Sequence, residues 1–426
     1  MGRLLIRNAA QVLTFASHGR PKLGRELRDP GLVPSGAVLI DGETIAAVGT
    51  EAEVLGDLPR EAHAGVEEID AAGRVVIPGI VDPHTHLVFA GHRATEFEAR
   101  LLGAEYLATL QAGGGILQTV RATRAADDDR LAALIEARLR RYLVLGVTTI
   151  EVKSGYGLTV AEELRHLKLI RRAAAAVPMQ VEATLLALHA RPPEYQDDPA
   201  PWIDQVCDEL IPAVAEAGLA TGCDVFVQPG VFSIEECRRV LHRGRQFGLA
   251  GHVHADQLGW TGGAELAAEQ GALSADHLGH ISDAGIQAMV ATGTVAVLIP
   301  GSMLFVPGEM PAPARKMIDA GVTIALSTDF SPGSSPISSP SPRTRLGAAM
   351  FGISAAEALA AATINAACVL GRADQVGSLE VGKRADLLLV EADDYRELPY
   401  RFGERLIRTV IAGGRIVAEG PAVGPL

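Results

Sequence analysis

The sequence has 426 residues, of which 48% are hydrophobic and 21% charged, with a formal net charge of −13. Its length suits two or three domains or one large barrel, and its composition excludes a disordered or fibrous chain. The acidic balance and the 4% of aromatic residues argue against a broad nucleic-acid surface, and four scattered cysteines predict reduced thiols.

Both ends of the chain are predicted to be β-rich. Near the start, two short apolar runs flank the dipeptide Asp41-Gly42, a pattern typical of a β-hairpin. Near the other end, Arg384–Val390 is predicted as a strand and Thr409–Val417 as a second hairpin.

Between the ends, short apolar runs alternate with helical stretches such as Asp127–Leu145 and Val160–Ala176. This alternation predicts parallel strands joined by right-handed crossovers. Eight such units over roughly 290 residues fit an α/β fold, a TIM-like (β/α)8 barrel. A doubly wound open sheet is the alternative. The glycine-rich nucleotide-binding motif typical of that sheet does not follow any predicted strand. The predicted strands are Val75–Val81, Gly146–Val152, Gln180–Leu188, Asp224–Val227, Leu249–His254, Ser274–His277, Thr294–Ile299 and Thr323–Ser327.

The apolar runs predict neither a secretory segment nor a membrane span. The run Leu4–Ile6 ends at Arg7 and is too short for a signal sequence. The uncharged run Ala284–Gly308 is interrupted by Gly293 and Pro300, which break it into short pieces. We therefore expect a soluble, cytoplasmic protein that binds neither nucleic acid nor a membrane.

The strongest chemical motif follows the first predicted barrel strand. His84 and His86 are two residues apart, so their side chains point the same way if the strand continues through them. Two imidazoles at the carboxyl end of a strand can bind one divalent cation, and barrel enzymes place their sites at this end. The pair alone does not distinguish a metal site from a chance spacing.

Further candidate ligands follow three other predicted strands. Strand five ends at His252-Val-His254, strand six at Asp276-His277 and strand eight at Asp329. Such clustering at four strand ends favours a metal site over histidines that merely fill the core. We interpret His254 as the ligand and His252, which lies one layer deeper on the same face, as structural.

Longer motifs occur in a fixed order along nearly the whole chain. They are Asp82–Arg93, Glu151–Gly157, Ala190–Tyr195, His254–Gln257, Ser274–His277 and Ser327–Pro336. Together with the strand-end residues they resemble the imidazolonepropionase family of the amidohydrolase superfamily. The resemblance implies a barrel at residues 77–368 and a small β-sandwich built from residues 1–76 and 369–426.

The resemblance also implies a mononuclear metal site formed by His84, His86, His254 and Asp329. Zn²⁺ and Fe²⁺ both suit these donors, and Fe³⁺ is compatible with them. A lysine that could bridge a second metal is not evident after strand four, since Lys153 follows strand two. One metal ion is therefore expected.

The implied reaction is hydrolysis of the cyclic amide C–N bond of 4-imidazolone-5-propanoate to N-formimino-L-glutamate, a step of histidine degradation. A metal would lower the pKa of a water molecule that attacks the ring carbonyl. His277 is placed to take the proton of that water or to polarise the carbonyl, and Asp329 is a second proton carrier. Gln257 can form a hydrogen bond but cannot act as a base. The resemblance implies a homodimer as well.

The same resemblance assigns the substrate-contacting positions. Arg93 is the expected partner of the propionate, because a guanidinium binds a carboxylate with two hydrogen bonds. Tyr156 and His189 would orient the ring. The remaining positions are Gln257, Ser331, Gly333 and Ser334. Three places depart from the family pattern: Ser331, where Asn is more frequent, Val227-Gln228, where Cys-Glu is more frequent, and Gly279, where Glu is more frequent.

Two other functions remain open at this point. A deaminase of an aminated heterocycle in the same superfamily would share the metal but not the carboxylate clamp, and both Gln257 and Arg93 weigh against it. A non-catalytic binding protein could keep the barrel and lose the chemistry. The complete set of strand-end histidines with Asp329 weighs against this second alternative.

Overall fold

The structure is a computed structural model that describes residues 2–56, 65–102 and 114–420. Two eight-stranded sheets organise these residues. One sheet is made from both ends of the chain and the other forms a barrel between them. No helix within these three ranges is both long enough and apolar enough to span a bilayer.

Both chain ends contribute to the first sheet. Its strands are β1 (Arg3–Leu13), β2 (Leu32–Asp41), β3 (Thr44–Thr50), β4 (Val66–Asp70), β5 (Val75–Pro78), β14 (Leu387–Val390), β15 (Ile407–Ala412) and β16 (Arg415–Glu419). β1 pairs antiparallel with β2 and parallel with both β4 and β5. β5 then pairs antiparallel with β14, which joins the C-terminal hairpin of β15 and β16. Both predicted hairpins are present, within one continuous mixed sheet.

The second sheet is the predicted parallel barrel. Its strands are β6 (Ile80–Asp82), β7 (Val147–Lys153), β8 (Gln180–Leu188), β9 (Gly222–Phe226), β10 (Ala250–Ala255), β11 (Ser274–His277), β12 (Val295–Leu298) and β13 (Ile324–Leu326), and each pairs with the next. Just beyond β6 and β13, Thr85 and Phe330 form a parallel bridge. The Asp329 N–H donates to the His84 carbonyl at 3.1 Å, and the His86 N–H donates to the Phe330 carbonyl at 3.0 Å. These bonds bring the first and last strands together, so the barrel is nearly closed.

Helices cover the outside of the barrel and bury one face each. In helix Asp128–Val144, Leu131, Ile135, Leu139 and Tyr142 are buried at helical spacing. The helices are Glu51–Gly56, Ala94–Leu101, Ile116–Ala125, Asp128–Val144, Val160–Ala174, Ala200–Gln205, Ile211–Glu216, Ile234–Gln246, Gly263–Gln270, Asp283–Thr292, Ala314–Ala320, Pro340–Phe351, Ala355–Ala361, Ile364–Val369 and Glu397–Tyr400. The loops that follow the barrel strands lie at the carboxyl ends of those strands, where they can form a site.

The prediction of one continuous strand over Val75–Val81 is wrong. The structure divides it into β5, which belongs to the end sheet, and β6, which begins the barrel, with Gly79 between them. A Cβ atom on Gly79 would lie 2.1 Å from the Oγ1 of Thr148, so only glycine fits where the chain crosses from one sheet to the other. Both halves are equally apolar and buried, and hydrophobicity therefore does not mark the boundary.

Candidate metal centre

Four histidines and one aspartate meet at the carboxyl end of the barrel. His84 and His86 follow β6, His254 lies near the end of β10, His277 ends β11 and Asp329 follows β13. All five side chains are buried. The candidate ligand atoms of His84, His254 and His277 lie within 4.8 Å of one another, and so do those of His84, His86 and Asp329. The structure thus brings together the four predicted metal ligands and the predicted catalytic histidine.

The nitrogen and oxygen atoms at the centre are arranged as donors to a cation. His84 Nε2 lies 3.2 Å from His86 Nε2, and Asp329 Oδ1 lies 3.2 Å from His86 Nε2. His254 Nε2 is buried and has no hydrogen-bond partner among the described residues. Burying such a group without a partner is unfavourable, and a metal ion would satisfy it. Three imidazoles and one carboxylate are a donor set that zinc and iron accept.

Carboxylates behind the histidines orient the rings. Asp224 Oδ2 lies 3.1 Å from His254 Nδ1, and Asp276 Oδ2 lies 2.5 Å from His84 Nδ1. Burial acts to raise the pKa of Asp224, but the nearby His254 and Lys153 charges outweigh it and hold that pKa well below its usual range. Because an ionised carboxylate only accepts hydrogen bonds, His254 donates through Nδ1 and keeps the lone pair of Nε2 for the centre.

Lys153 is the buried counter-ion of these carboxylates. Its Nζ lies 2.7 Å from Glu151 Oε1 and 2.8 Å from Asp224 Oδ2. Burial acts to lower the pKa of Lys153, yet the Asp224 and Glu151 carboxylates outweigh it and raise that pKa. A third group of candidate ligand atoms comes from His84, Asp224 and Asp276. The Lys153 ammonium acts to lower the pKa of both carboxylates in this group. The ammonium already supplies positive charge there, which disfavours a second metal ion.

The pKa values of the histidines at the centre shift in opposite directions. Burial lowers the pKa of His84 and of His86 well below the ordinary value, which favours the neutral imidazole that binds metals. Burial acts in the same direction on His277, but a hydrogen bond with Glu309 and the charge of that carboxylate outweigh it and raise the pKa. The pKa of Asp329 is raised by burial. His277 is therefore electrostatically distinct from the other histidines.

His252 lies outside the candidate ligand groups. Its Nδ1 is 3.0 Å from the Oγ of Ser274, and a Cβ on Gly222 would lie 3.1 Å from the His252 ring. Burial lowers the pKa of His252 to about 3, so the ring is neutral near pH 7. The side chain packs within the barrel, as the interpretation of a structural histidine requires.

The backbone at the strand ends is strained. His277, Leu278, Asp329 and Asp256 have φ angles of +75°, +64°, +49° and +51°. A non-glycine residue in this left-handed region costs on the order of 1–3 kcal/mol, and such residues concentrate at functional sites. The strain follows β10, β11 and β13, the strands that carry the candidate ligands and His277, and it supports this end of the barrel as the site.

Arg93 lies against the loop that follows Asp329. An ideal Cβ on Gly333 would lie 1.8 Å from Arg93 Nη1, so the guanidinium packs directly on the Gly333 backbone. Glu96 binds the same guanidinium at 2.5 and 2.9 Å and accepts the Gly115 N–H at 3.0 Å. Sequence reasoning missed this ion pair, although the spacing of three residues at the start of a helix is a signal for it.

Tyr156 and His189 form an aromatic wall beside the centre. The His189 ring stacks on His86 with 4.8 Å between centroids and 15° between planes, and Tyr156 lies 5.1 Å from His189. His189 Nδ1 lies 3.0 Å from the Gly155 carbonyl, which accepts its proton and leaves Nε2 as an acceptor. Burial raises the pKa of Tyr156, so its hydroxyl stays protonated. Both predicted ring-contacting residues are therefore next to the candidate ligands.

Ser331 and Ser334 shape the loop after β13. Their hydroxyl oxygens are 2.6 Å apart, and Ser331 Oγ also accepts the Ser335 N–H at 3.1 Å. Ser334 donates to Asp329 Oδ2 at 3.1 Å. In this structure the two serines, both predicted to touch substrate, hold the loop and orient the candidate aspartate ligand.

Glu309 is the functional candidate that sequence reasoning missed. Its Oε1 lies 2.6 Å from Ser302 Oγ and 3.1 Å from His277 Nδ1, and its Oε2 lies 3.1 Å from Gln257 Nε2. It lies in the loop after β12 and does not directly follow a strand, so the ends of the predicted strands do not indicate it. The available signal is that Glu309 is the only charged residue between Asp283 and Arg315.

The barrel, the end sheet and the strand-end histidines are those of an amidohydrolase-type protein. A family model described as the Amidohydrolase family matches residues 75–417. The structure is similar to an adenosine deaminase from Xanthomonas campestris with bound zinc, with a TM-score of 0.73, 18% identity, and coverage of 99% of this chain and 94% of that one. It is also similar to guanine deaminase of E. coli, with a TM-score of 0.73, 17% identity and coverage of 97% and 99%. At these identities the structural likeness shows the fold alone.

Sequence comparison identifies the family more narrowly. The chain is 46% identical to an imidazolonepropionase of Shouchella clausii over 98% of this chain and 93% of that protein. It is 44% identical to an imidazolonepropionase of Geobacillus kaustophilus over 98% of this chain and 99% of that protein. The chain belongs to the imidazolonepropionase family, within the amidohydrolases, and this membership implies a divalent metal site.

Proposed function

We propose that the chain hydrolyses the cyclic amide C–N bond of 4-imidazolone-5-propanoate and releases N-formimino-L-glutamate. The observation that carries this proposal is the full-length similarity to imidazolonepropionases, at up to 46% identity among the relatives described above. The convergence of four histidines and Asp329 at one end of the barrel supports a metal-dependent hydrolysis there.

One divalent metal ion, Zn²⁺ or Fe²⁺, is proposed to be held by His84, His86, His254 and Asp329. The Nε2 of His254, which has no hydrogen-bond partner in the described part of the chain, supports this donor set. When bound, the metal supplies Lewis acidity and lowers the pKa of a water molecule to about 7. Elemental analysis of the purified protein distinguishes zinc from iron.

The proton transfers are proposed to fall to His277. Because Glu309 accepts from Nδ1, the Nε2 atom of His277 is the basic position and takes the proton of the attacking water. The C–N bond of the ring then breaks, and the same histidine delivers the proton to the leaving nitrogen. Asp329, whose carboxylate lies between two histidines, is a second carrier of that proton. Gln257 stays neutral and binds the ring.

Substrate binding is proposed to use the residues around Arg93. The guanidinium, already aligned by Glu96, pairs with the propionate through its remaining donors. Tyr156 and His189 pack against the ring from the side of His86. The loop residues Ser331, Gly333 and Ser334 complete the pocket.

The proposal is tested by metal analysis and turnover. The purified protein should remove the ultraviolet absorbance of fresh imidazolone propionate, form N-formimino-L-glutamate, and lose this activity on chelation. His277→Ala should bind metal but turn over about 10²–10⁴-fold more slowly, as expected for loss of a general acid–base residue. A metal-loaded protein that leaves this substrate intact and instead releases ammonia from an aminated heterocycle would identify a deaminase.

We also propose that the enzyme is a homodimer and binds no nucleic acid. The dimer follows from the family resemblance, and a net charge of −13 opposes a phosphate backbone. Light scattering during gel filtration should give twice the chain mass of 44.6 kDa. A monomer mass that does not change with protein concentration contradicts the dimer.

A further inference from the structure

Glu309 connects three loops at the mouth of the barrel. Its carboxylate bonds to Ser302 in its own loop, to His277 at the end of β11 and to Gln257 after β10. The side chains of His277 and Glu309 are 2% and 3% exposed, so water competes little for these bonds. One buried carboxylate therefore bonds to two residues of the proposed site.

The chemistry of a carboxylate fixes how those two residues are oriented. An ionised carboxylate only accepts hydrogen bonds, so each partner has to present an N–H group to it. Gln257 presents its Nε2 amino group, which leaves its Oε1 as an acceptor. His277 presents the proton on Nδ1, which leaves Nε2 as the position that accepts a proton.

We propose that Glu309 is a positioning residue that sets both of these polarities, and that it thereby makes Gln257 the acceptor for the cyclic amide N–H of the substrate. The inference rests on the proposed function. Recognition of the ring then falls to the neutral amide of Gln257. The carboxylate of Glu309, on the side of Gln257 away from the substrate, sets the orientation of that amide. A side chain with an oxygen towards the substrate selects a ring N–H donor and disfavours a ring that presents a lone pair there.

A second observation explains how Glu309 reaches this position. An ideal Cβ on Gly279 would lie 2.5 Å from the Met310 carbonyl oxygen and 3.5 Å from the Gln257 carbonyl oxygen. Any side chain at position 279 would push away the loop that carries Glu309. The glycine thus permits the close approach of this loop to the end of β11.

The polarity can be reversed and restored by substitution. In Glu309→Gln, the amide at position 309 has only one oxygen. If that oxygen accepts the proton of His277, the amino group at position 309 faces Gln257. The amide of Gln257 then has to turn its oxygen towards position 309 and its amino group towards the substrate. We expect kcat/KM to fall about 10–100-fold, the range seen when residues that orient the side chains of a metal site are lost, with a clear rise in KM. The double variant Gln257→Glu/Glu309→Gln returns an oxygen acceptor to the substrate side and should recover at least about tenfold of that loss.

Two further variants complete the kinetic test. Gln257→Glu alone sets two carboxylates against each other and should lower kcat/KM without the rescue seen in the double variant. Glu269→Gln, which removes an exposed carboxylate paired with Arg238 on the outer surface, is the matched control and should match the unmodified enzyme. Thermal melting and metal content should be alike for all variants, which separates positioning from folding.

A readout independent of turnover uses ¹⁵N-labelled histidine. The spectrum of the unmodified protein should show His277, assigned by its absence in His277→Ala, as the Nδ1–H tautomer, and Glu309→Ala should remove this preference. An Nε2–H tautomer in the unmodified protein overturns the inference whether or not the substrate is consumed. Turnover that is unchanged in Glu309→Gln, or a double variant no better than the single one, overturns it as well. Failure of the unmodified enzyme to consume the substrate, with the expected tautomer present, overturns the proposed function and with it the assignment of Gln257 as substrate acceptor.

Discussion

At the scale of single residues, Arg93 illustrates recognition by geometry as well as charge. Its planar guanidinium lies against Gly333 and is aligned by both oxygens of Glu96. Arg93→Lys keeps the charge but loses this fork, so we expect KM for the substrate to rise about 10–100-fold, in line with the ~1.5–3 kcal/mol of a charged hydrogen bond, while kcat changes less. Steady-state kinetics measures both values. Arg172→Lys, at an exposed ion pair with Asp129, is the control, and an unchanged KM in Arg93→Lys would remove Arg93 from the binding site.

Lys153 makes a prediction about stability at the same scale. Its ammonium is the buried partner of both Glu151 and Asp224. Lys153→Met leaves these carboxylates uncompensated, and we expect a loss of about 3–5 kcal/mol in the free energy of unfolding, because breaking a buried ion pair strands its partner. Urea unfolding measures this loss. Lys316→Met, at an exposed pair with Asp283, should cost no more than about 1 kcal/mol, and similar losses in both variants would contradict the role of Lys153.

At the scale of elements, the passage from β5 to β6 depends on contact between Gly79 and Thr148. We expect Gly79→Ala to reduce the free energy of unfolding by about 1–3 kcal/mol, because its Cβ would meet the Thr148 hydroxyl at 2.1 Å. The double variant Gly79→Ala/Thr148→Ala should recover much of this loss, and denaturant unfolding of the set measures it. If the single and the double variant are equally stable, contact with the Thr148 side chain is not the cause of the loss.

The strands show how far sequence reasoning reaches. Parallel strands in a barrel are continuous apolar runs, so the sequence predicts seven of the eight to within two residues of their bounds, and two of these, Gln180–Leu188 and Ser274–His277, with the bounds that the structure has. The candidate ligands can be predicted as well, because they directly follow these apolar runs in the sequence. Glu309 is not predictable in this way, since packing of the loop after β12 brings its carboxylate to His277. The sequence signal for Glu96 is only its spacing of three residues from Arg93. The division at Gly79 was hidden because both sides of it are buried.

At the scale of the whole molecule, Glu380 ties the two ends of the chain together. Its carboxylate accepts the N–H groups of Ser17 and His18 at 3.2 and 3.0 Å and bonds to Ser378 and Lys383. Burial acts to raise its pKa, but these bonds outweigh burial and lower the pKa from 4.5 to about 2.

The sign of the resulting pH dependence follows from linkage. A lowered pKa in the folded state contributes stability that is present above about 4.5 and is lost as the pH falls towards about 2. Glu380→Gln should therefore be less stable than the unmodified protein at pH 7, and the difference should shrink between pH 4.5 and 2. Denaturant unfolding across this range measures it. A difference that stays constant with pH would show that the charge of Glu380 contributes nothing.

The place of β5 between β1 and β14 has a consequence for biosynthesis. β5 ends at Pro78 and its neighbour β14 begins at Leu387, about 300 residues later. At about 5–20 residues per second, a ribosome needs ~15–60 s to supply that neighbour. Throughout this time the nascent N-terminal sheet has an apolar edge without its partner, the type of surface that pairs with other chains. The enzyme's yield in a cell thus depends on how well this edge is shielded until β14 emerges.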